Sequence, residues 1–380
     1  MSHTSMRLLL AASLLLPVVG CDDLESNDPT TPAAPQQSAK ESPTTQPGKG
    51  STTLPYTREP HPEEKHFKNI RQLTDGGENA EAYFSADGKK LIFQSKRPPY
   101  LCDQIFTMNL DGSDVKLVST GKGRTTCAYY LYPNDERVLF SSTHATSEMC
   151  PPVPDRSMGY VWPIYESYEI YSAKPDGSDL KVLAPSPGYD AEATMAPDGS
   201  RICFTSMRDG DLEIYSMNPD GSDVKRLTNT PGYDGGPFYS PDGTKIIFRA
   251  NRPEGKALED YQMLLDRGLI RPGALSIYMM DADGSNIVKL TDNDAANFCP
   301  FFHPDGKRVI FSSNMGDEKG REFDLFSVHI DTKEIERITY TSDFDGFPMF
   351  SPDGKYFVWC SNRHNAQHGE TNVFICEWVD

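Results

Sequence analysis

An all-β fold of six repeated sheets closed into a ring, a six-bladed β-propeller, is what three features of the sequence predict. The first is a phrase that recurs six times: Pro-Asp-Gly or a near variant, a basic residue, then an apolar-apolar-aromatic triplet. Its copies begin at Asp87, Asn134, Asp198, Asp242, Asp305 and Asp353, and their triplets end at Phe93, Phe140, Phe204, Phe248, Phe311 and Trp359. The copies stand roughly 44–64 residues apart, the range of four-stranded blades with some loops lengthened. The second feature is a further turn phrase in the same units, at Asp111-Gly-Ser-Asp, Asp176-Gly-Ser-Asp, Asp220-Gly-Ser-Asp and Asp283-Gly-Ser-Asn. The third is an imbalance at the ends. The last copy stops at a third strand, Val373 to Trp378, while Ile70-Arg71-Gln72-Leu73-Thr74 precedes the first copy as an orphan matching the fourth strand elsewhere. The orphan should complete the last blade and remove the exposed sheet edges that an open array would carry.

The chain divides into three stretches. Residues 1–20 read as a secretory signal, with Arg7 ahead of the apolar run Leu8 to Val19, which is too short to span a bilayer. The run ends Leu16-Pro17-Val18-Val19-Gly20-Cys21, which resembles the bacterial lipobox; that resemblance implies that the Cys21 thiol takes diacylglycerol and becomes the mature N-terminus. Residues 21–60 are rich in Pro, Ser, Thr and Gln and poor in aliphatic side chains. Such a composition cannot bury enough apolar surface to offset its ordering entropy, so a disordered tether is expected. Residues 61–380 hold the repeats. A formal charge of −18 and a pI near 4.9 argue against nucleic-acid binding, which needs basic patches.

Within each blade, strand a ends in an aromatic run such as Ala82-Tyr83-Phe84 or Pro300-Phe301-Phe302, and Asp-Gly turns the hairpin into strand b. Strand c follows with period-2 alternation, as in Ile214-Tyr215-Ser216-Met217, and the Asp-Gly-Ser phrase turns it into strand d. The acidic clusters of those phrases sit where hairpin turns must be, so they are read as turns rather than metal sites. Both turns fall on one face of the disc. Length variation is confined to the b–c and d–a loops of the opposite face, where a binding surface is expected. Blade 2 inserts Thr143 to Glu169, with Tyr160, Trp162 and Tyr165; blade 4 inserts Asn251 to Ser276. In the latter, Leu258, Tyr261, Leu264 and Leu265 lie at helical spacing and Gly268 marks a stop, giving a short helix that should pack on the disc.

Aligned repeats show two rings of candidate binding residues on that face. Arg97, His144, Arg208, Arg252 and Arg363 end strand b, with Met315 the exception. Asn79, Thr126, Asp190, Asp234, Asn297 and Asp345 start strand a, with Glu81 and Glu192 two residues on, and these are expected to crowd the mouth of the central channel. Either each Arg locks its blade to an acid of the neighbouring one, or unpaired members hold a carboxylate, peptide terminus or cation. Cys102, Cys127 and Cys150 are read as loop residues of blades 1 and 2, and export to an oxidising compartment makes one disulfide among them expected. Cys203 and Cys376 take core positions. No cofactor and no metal site is assigned, and no Ser-elbow, zinc-helix or phosphate-loop motif occurs.

At the Ser-Pro-Asp-Gly…Ile-Tyr-Ser-Met-Asn…Asp-Gly-Ser…Leu-Thr grammar, over roughly residues 70–380, the chain resembles the WD-like propeller repeats of the TolB family. The resemblance implies a monomeric, non-catalytic binding or scaffold module of the bacterial cell envelope, on the periplasmic side. Envelope proteins would be its partners, and the acylated Cys21 its contact with the inner or outer membrane. Two alternatives stand beside it. One is a metal-dependent lyase acting on a polysaccharide, resembling propeller oligogalacturonate lyases, for which His144, His364 and His368 are the available histidines. The other is a small-ligand receptor with a polar pocket at the channel mouth flanked by Trp162.

Overall fold

A computed structural model describes residues 54–380 apart from residue 343. The signal segment, Cys21 and most of the tether lie outside the described residues. Six antiparallel sheets are arranged around one axis. Their innermost strands, the a strands, are Glu78–Phe84, Thr125–Tyr130, Asp190–Met195, Asp234–Tyr239, Asn297–Phe302 and Asp345–Phe350. Each a strand contacts the next and the sixth contacts the first, so the ring is closed.

Closure is carried by the orphan segment. Phe67–Gln72 pairs antiparallel with Asn372–Trp378 as the fourth strand of blade 6. Beyond it the chain adds a fifth strand, Tyr56–Arg58, on the outside. Composition places these three residues in the disordered tether, yet they form a strand. They order because they pair along Ile70–Gln72, and because Arg58 donates to the Gln72 side chain while Tyr56 donates its hydroxyl to Asp75. The short polar stretch has few apolar side chains, so hydrophobic patterning gave no warning of it.

The core runs between blades as a wheel of aromatic residues. Phe93, Phe140, Phe204, Phe248, Phe311 and Trp359, the ends of the six triplets, are all fully buried. The c–d turns also join neighbours. A Cβ on Gly112 would lie 2.5 Å from the Leu73 carbonyl oxygen of the preceding blade, and φ there is +78°, so close approach and backbone both demand glycine.

Candidate functional site: a roofed chamber on the propeller axis

Every a strand carries the same irregularity. Its register against strand b shifts by one residue, and the extra residue takes a left-handed conformation: Glu81, Cys127, Glu192, Gly236, Cys299 and Phe347 have φ between +51° and +59°. A bulge re-aims the side chain it holds. Here all six face the axis, five of them lining a central chamber together with Trp162, Tyr168, Tyr189, Tyr233, Arg249 and Phe298, and Gly236 lying in the smaller space below it.

The roof comes from the two insertions. Trp162–Pro163 of blade 2 pairs with Leu269–Ile270 of blade 4, a two-stranded sheet that crosses above blade 3. The blade 4 insertion forms the expected helix, Lys256–Leu265, with Tyr261, Leu264 and Leu265 buried; Tyr261 donates to Asp211 at 2.5 Å. Ile164, Tyr168, Tyr189, Leu212, Tyr233, Leu265 and Ile270 make one apolar cluster beneath the sheet, which fixes the roof to the disc. A disulfide between Cys102 and Cys150 ties the base of the blade 2 insertion to blade 1. Cys127 is not a loop residue: it sits in strand a with its thiol 3.6 Å from Glu81.

Tyr83 and Tyr129 meet Phe238 across the axis, with ring centroids 5.6 and 6.2 Å apart, and Phe301 packs behind. Blades 1 and 4 therefore touch through the middle, and the channel is plugged on the turn side. What remains is a chamber of about 60 Å³ under the roof, with a smaller space of about 30 Å³ above the plug.

The chamber's charges are organised around one cation. Arg249 forms a very short ion pair with Glu192, donates to the Tyr233 hydroxyl at 2.9 Å, and lies 5.6 Å from the Trp162 ring centroid and 5.5 Å from that of Tyr233. Gly236 makes room: a Cβ there would stand 2.3 Å from the guanidinium. Glu192 also accepts from Thr205 at 2.7 Å and from the Gly236 amide at 2.8 Å. Burial pushes the thiols of Cys127 and Cys299 and the phenols of Tyr189 and Tyr233 well up, so all four stay neutral at ordinary pH.

The two rings read from the sequence do not form the channel mouth. Asp190, Asp234 and Asp345 are fully buried inside their own sheets. Each holds the arginine of its own blade, not a neighbour's: Arg208 reaches Asp190 at 3.0 Å, Arg252 reaches Asp234 at 2.5 Å, and Arg363 reaches Asp345 at 2.9 Å. Arg97 donates to the Asn79 side chain at 2.6 Å in the same way. The guanidinium groups rest on the aromatic wheel, Arg97 on Phe93 and Phe106, Arg208 on Phe204 and Tyr215, Arg363 on Trp359. His144 takes the same seat in blade 2, 4.5 Å from the Tyr171 ring, with Ser142 at 2.8 Å. Glu64, ahead of the closing strand, joins blades 5 and 6 at one of these nodes: it accepts from Arg363 of blade 6 at 2.9 Å and from the backbone amide of Tyr340, just after strand d of blade 5, at 3.3 Å. Strand a of blade 2 also starts one residue earlier than aligned. Thr125 pairs with Ser142 as Asn79 pairs with Ser95, and Thr126 belongs to the next position.

Of the expected site residues, Trp162, Glu81, Thr126, Glu192 and Cys127 come together in the chamber. Arg249, Cys299, Phe347, Tyr189 and Tyr233 were missed. They occupy the bulge column and its neighbours, the columns in which the repeats agree least, whereas the alignment had favoured columns that agree. His368 lies apart, in a cleft of about 440 Å³ between the b–c loops of blades 5 and 6 with Lys319, Arg321 and Glu370. Among the described residues, no group of three or more His, Cys, Asp and Glu is placed to hold a metal ion.

Six antiparallel blades, the sixth closed by Phe67–Gln72 and extended by a fifth strand, with a roof over the axis on one face, define a six-bladed propeller. The sequence pattern described as the TolB beta propeller domain matches residues 164–263 and 263–374, and the chain belongs to that family. The structure resembles that of a putative TolB from Agrobacterium tumefaciens, at 20% identity and a TM-score of 0.52, covering 80% of this chain and 91% of that one. TolB from Acinetobacter baumannii gives 19% and 0.51, covering 79% of this chain and 63% of that one. An oligogalacturonate lyase in complex with manganese gives 14% and 0.51, covering 87% and 98%. At such identities the likeness is one of fold. No curated protein matches the chain.

Proposed function

We propose that this protein is a non-catalytic, protein-binding module of the bacterial cell envelope, held to a membrane through a lipid on Cys21, which captures its partner on the roofed face. One observation carries the reading. Insertions from two non-adjacent blades are joined into a sheet and pinned by a disulfide, so the variable face is a shaped, rigid surface rather than a set of independent loops. Rigid presentation lowers the ordering cost of association, which is what a docking surface requires. The aspartate and arginine rings fit a structural role, since their charges are satisfied within each blade. The lyase reading needs a histidine cluster on the axis, and the residues lining the chamber include none.

Two measurements test the proposal. Cys21→Ser should move the protein from the membrane fraction to the soluble periplasmic fraction; unchanged membrane association would remove the anchor. A photo-crosslinker at Met149, which is 70% exposed on the roofed face, should trap one envelope protein reproducibly, and one at Val288 on the rim should not. Equal or absent crosslinking from the two positions would overturn partner capture by this face.

A further inference from the structure

The three most exposed large apolar side chains among the described residues lie together. Leu101, Met149 and Val153 are 78%, 70% and 54% exposed, and no other passes 46%. Leu101 precedes Cys102 and Met149 precedes Cys150, and the disulfide between those cysteines holds their Cα atoms 5.9 Å apart. Exposed Pro98, Pro99 and Pro152 stand in the same two loops, so the patch spans the seam between blades 1 and 2 on the roofed face. Both loops are fixed. The Gly123 amide donates to the Glu148 carbonyl at 3.0 Å, and the Tyr165 hydroxyl donates to the Pro152 carbonyl at 2.6 Å. Proline restricts φ on either side of the staple, so little freedom is left to lose on association. Apolar residues scattered singly over a surface need no explanation, but a cluster rimmed by polar residues marks a contact site.

We infer that this patch is where the partner protein docks, and that the partner seats an aromatic side chain on it from a basic surround. The inference rests on the binding-module reading and names the chemistry such a partner brings. Sulfur selects the ring. Met149 adjoins the disulfide in the chain, and a polarisable thioether favours contact with an aromatic ring, the residue type that anchors most interfaces. Charge selects the surround. Glu148 precedes Met149 and Glu166 follows Tyr165, both exposed; Lys122 is already paired with Glu148, and the chain as a whole carries −18. Such a field draws a basic surface in and turns an acidic one away. Other occupants lack one feature or the other. Residues 22–53 of this chain hold no aromatic residue, a second copy brings the same −18, and an anionic lipid surface is repelled by it.

The test uses the full chain with Cys21→Ser, so that no acyl group competes for the patch, labelled at its methionine methyl groups for NMR. The probe is a short capped peptide, Arg-Phe-Arg, compared with Arg-Leu-Arg and Glu-Phe-Glu. Arg-Phe-Arg should shift the Met149 methyl saturably, through the ring current of its phenylalanine. Arg-Leu-Arg should bind severalfold more weakly, the range of one sulfur–aromatic contact, and Glu-Phe-Glu about tenfold more weakly or less. Leu101→Asn, at an exposed position where substitution barely alters stability, should weaken Arg-Phe-Arg severalfold, and Val288→Asn on the rim should leave it unchanged. An unmoved Met149 methyl, equal affinity for the Phe and Leu peptides or for the Arg and Glu peptides, or unaltered affinity in Leu101→Asn would overturn the inference. So would a Met149 shift produced by phosphatidylcholine vesicles, or by raising the concentration of the chain alone, which would assign the patch to lipid or to a second copy. The two readings fail separately. A Met149 crosslink to an envelope protein without peptide binding keeps partner capture and removes the aromatic anchor; peptide binding without a crosslink does the reverse.

Discussion

Removing residues 54–75 should abolish the folded monomer, because that segment holds the ring shut. Phe67, Ile70 and Leu73 are 5%, 0% and 1% exposed, and all three bury their side chains against blade 6 and its neighbour. Burying each contributes about 1.5–3 kcal/mol, so the three together supply about 5–9 kcal/mol. That is of the order of a whole domain's net stability, about 5–15 kcal/mol. The deletion also strips Arg363 of Glu64 and leaves the Asn372–Trp378 strand with an unpaired edge. An exposed edge recruits other chains. Light scattering on the 76–380 fragment should therefore show aggregates or strand-exchanged oligomers. A milder change grades the effect. Ile70→Ala removes a fully buried side chain at a cost of about 2–5 kcal/mol. With an unfolding entropy of about 0.7 kcal/mol/K for a domain of this length, Tm should fall by about 3–7 °C in calorimetry. A soluble, monomeric 76–380 fragment melting within a few degrees of the parent would refute the closure argument.

Two further outcomes follow from the buried charges. Arg363→Ala leaves Glu64 and Asp345 buried together without their cation and should cost about 3–5 kcal/mol, whereas Arg97→Ala, whose partner is the neutral Asn79, should cost about 1–2 kcal/mol; equal Tm losses would mean the nodes are held by stacking rather than charge. Glu169 has one carboxyl oxygen buried without a hydrogen-bond partner, and burial followed by repulsion from Asp190 pushes its carboxyl up to about 7. An unfolded glutamate titrates near 4.3, so the native state binds the extra proton between those values, and stability falls as pH rises from about 4.3 to 7. Glu169→Gln should match the parent's Tm at pH 4 and exceed it at pH 8; a constant difference across that range would exclude the linkage.

The fold was legible because its determinants are local and repeated. Each Asp-Gly turn and each apolar-apolar-aromatic triplet states its own geometry, and six repetitions state the ring. Ile70 to Thr74 announced the closure by matching Arg226-Leu227-Thr228 and its counterparts, and Leu258 to Leu265 announced the helix by spacing. The chamber was harder for a physical reason. In a regular strand, residues two apart share a face, so Asp190 and Glu192 were both aimed at the axis. The extra residue is Glu192 itself, which the bulge turns to the axis, while Asp190 stays in register with Ser206 and buried in the sheet. A left-handed residue is easy to foresee at Gly236, but nothing in Glu81, Cys127 or Phe347 advertises one. The pairing of Trp162–Pro163 with Leu269–Ile270 joins segments more than a hundred residues apart, each two residues long, and no periodicity resides in so short a strand.

The outermost position of Tyr56–Arg58 has a mechanical consequence. Tyr56 pairs with Gln72 and donates to Asp75 in the following d–a loop, so the described chain enters the propeller on the outer edge of blade 6, at its roofed-face end. Tension applied there draws first on a three-residue strand and then on the closing strand beside it. The point where the described chain enters and the edge that closes the ring are therefore one place. A pull from upstream would be registered as opening of blade 6 long before it disturbed blades 2 to 4, where the roof is built.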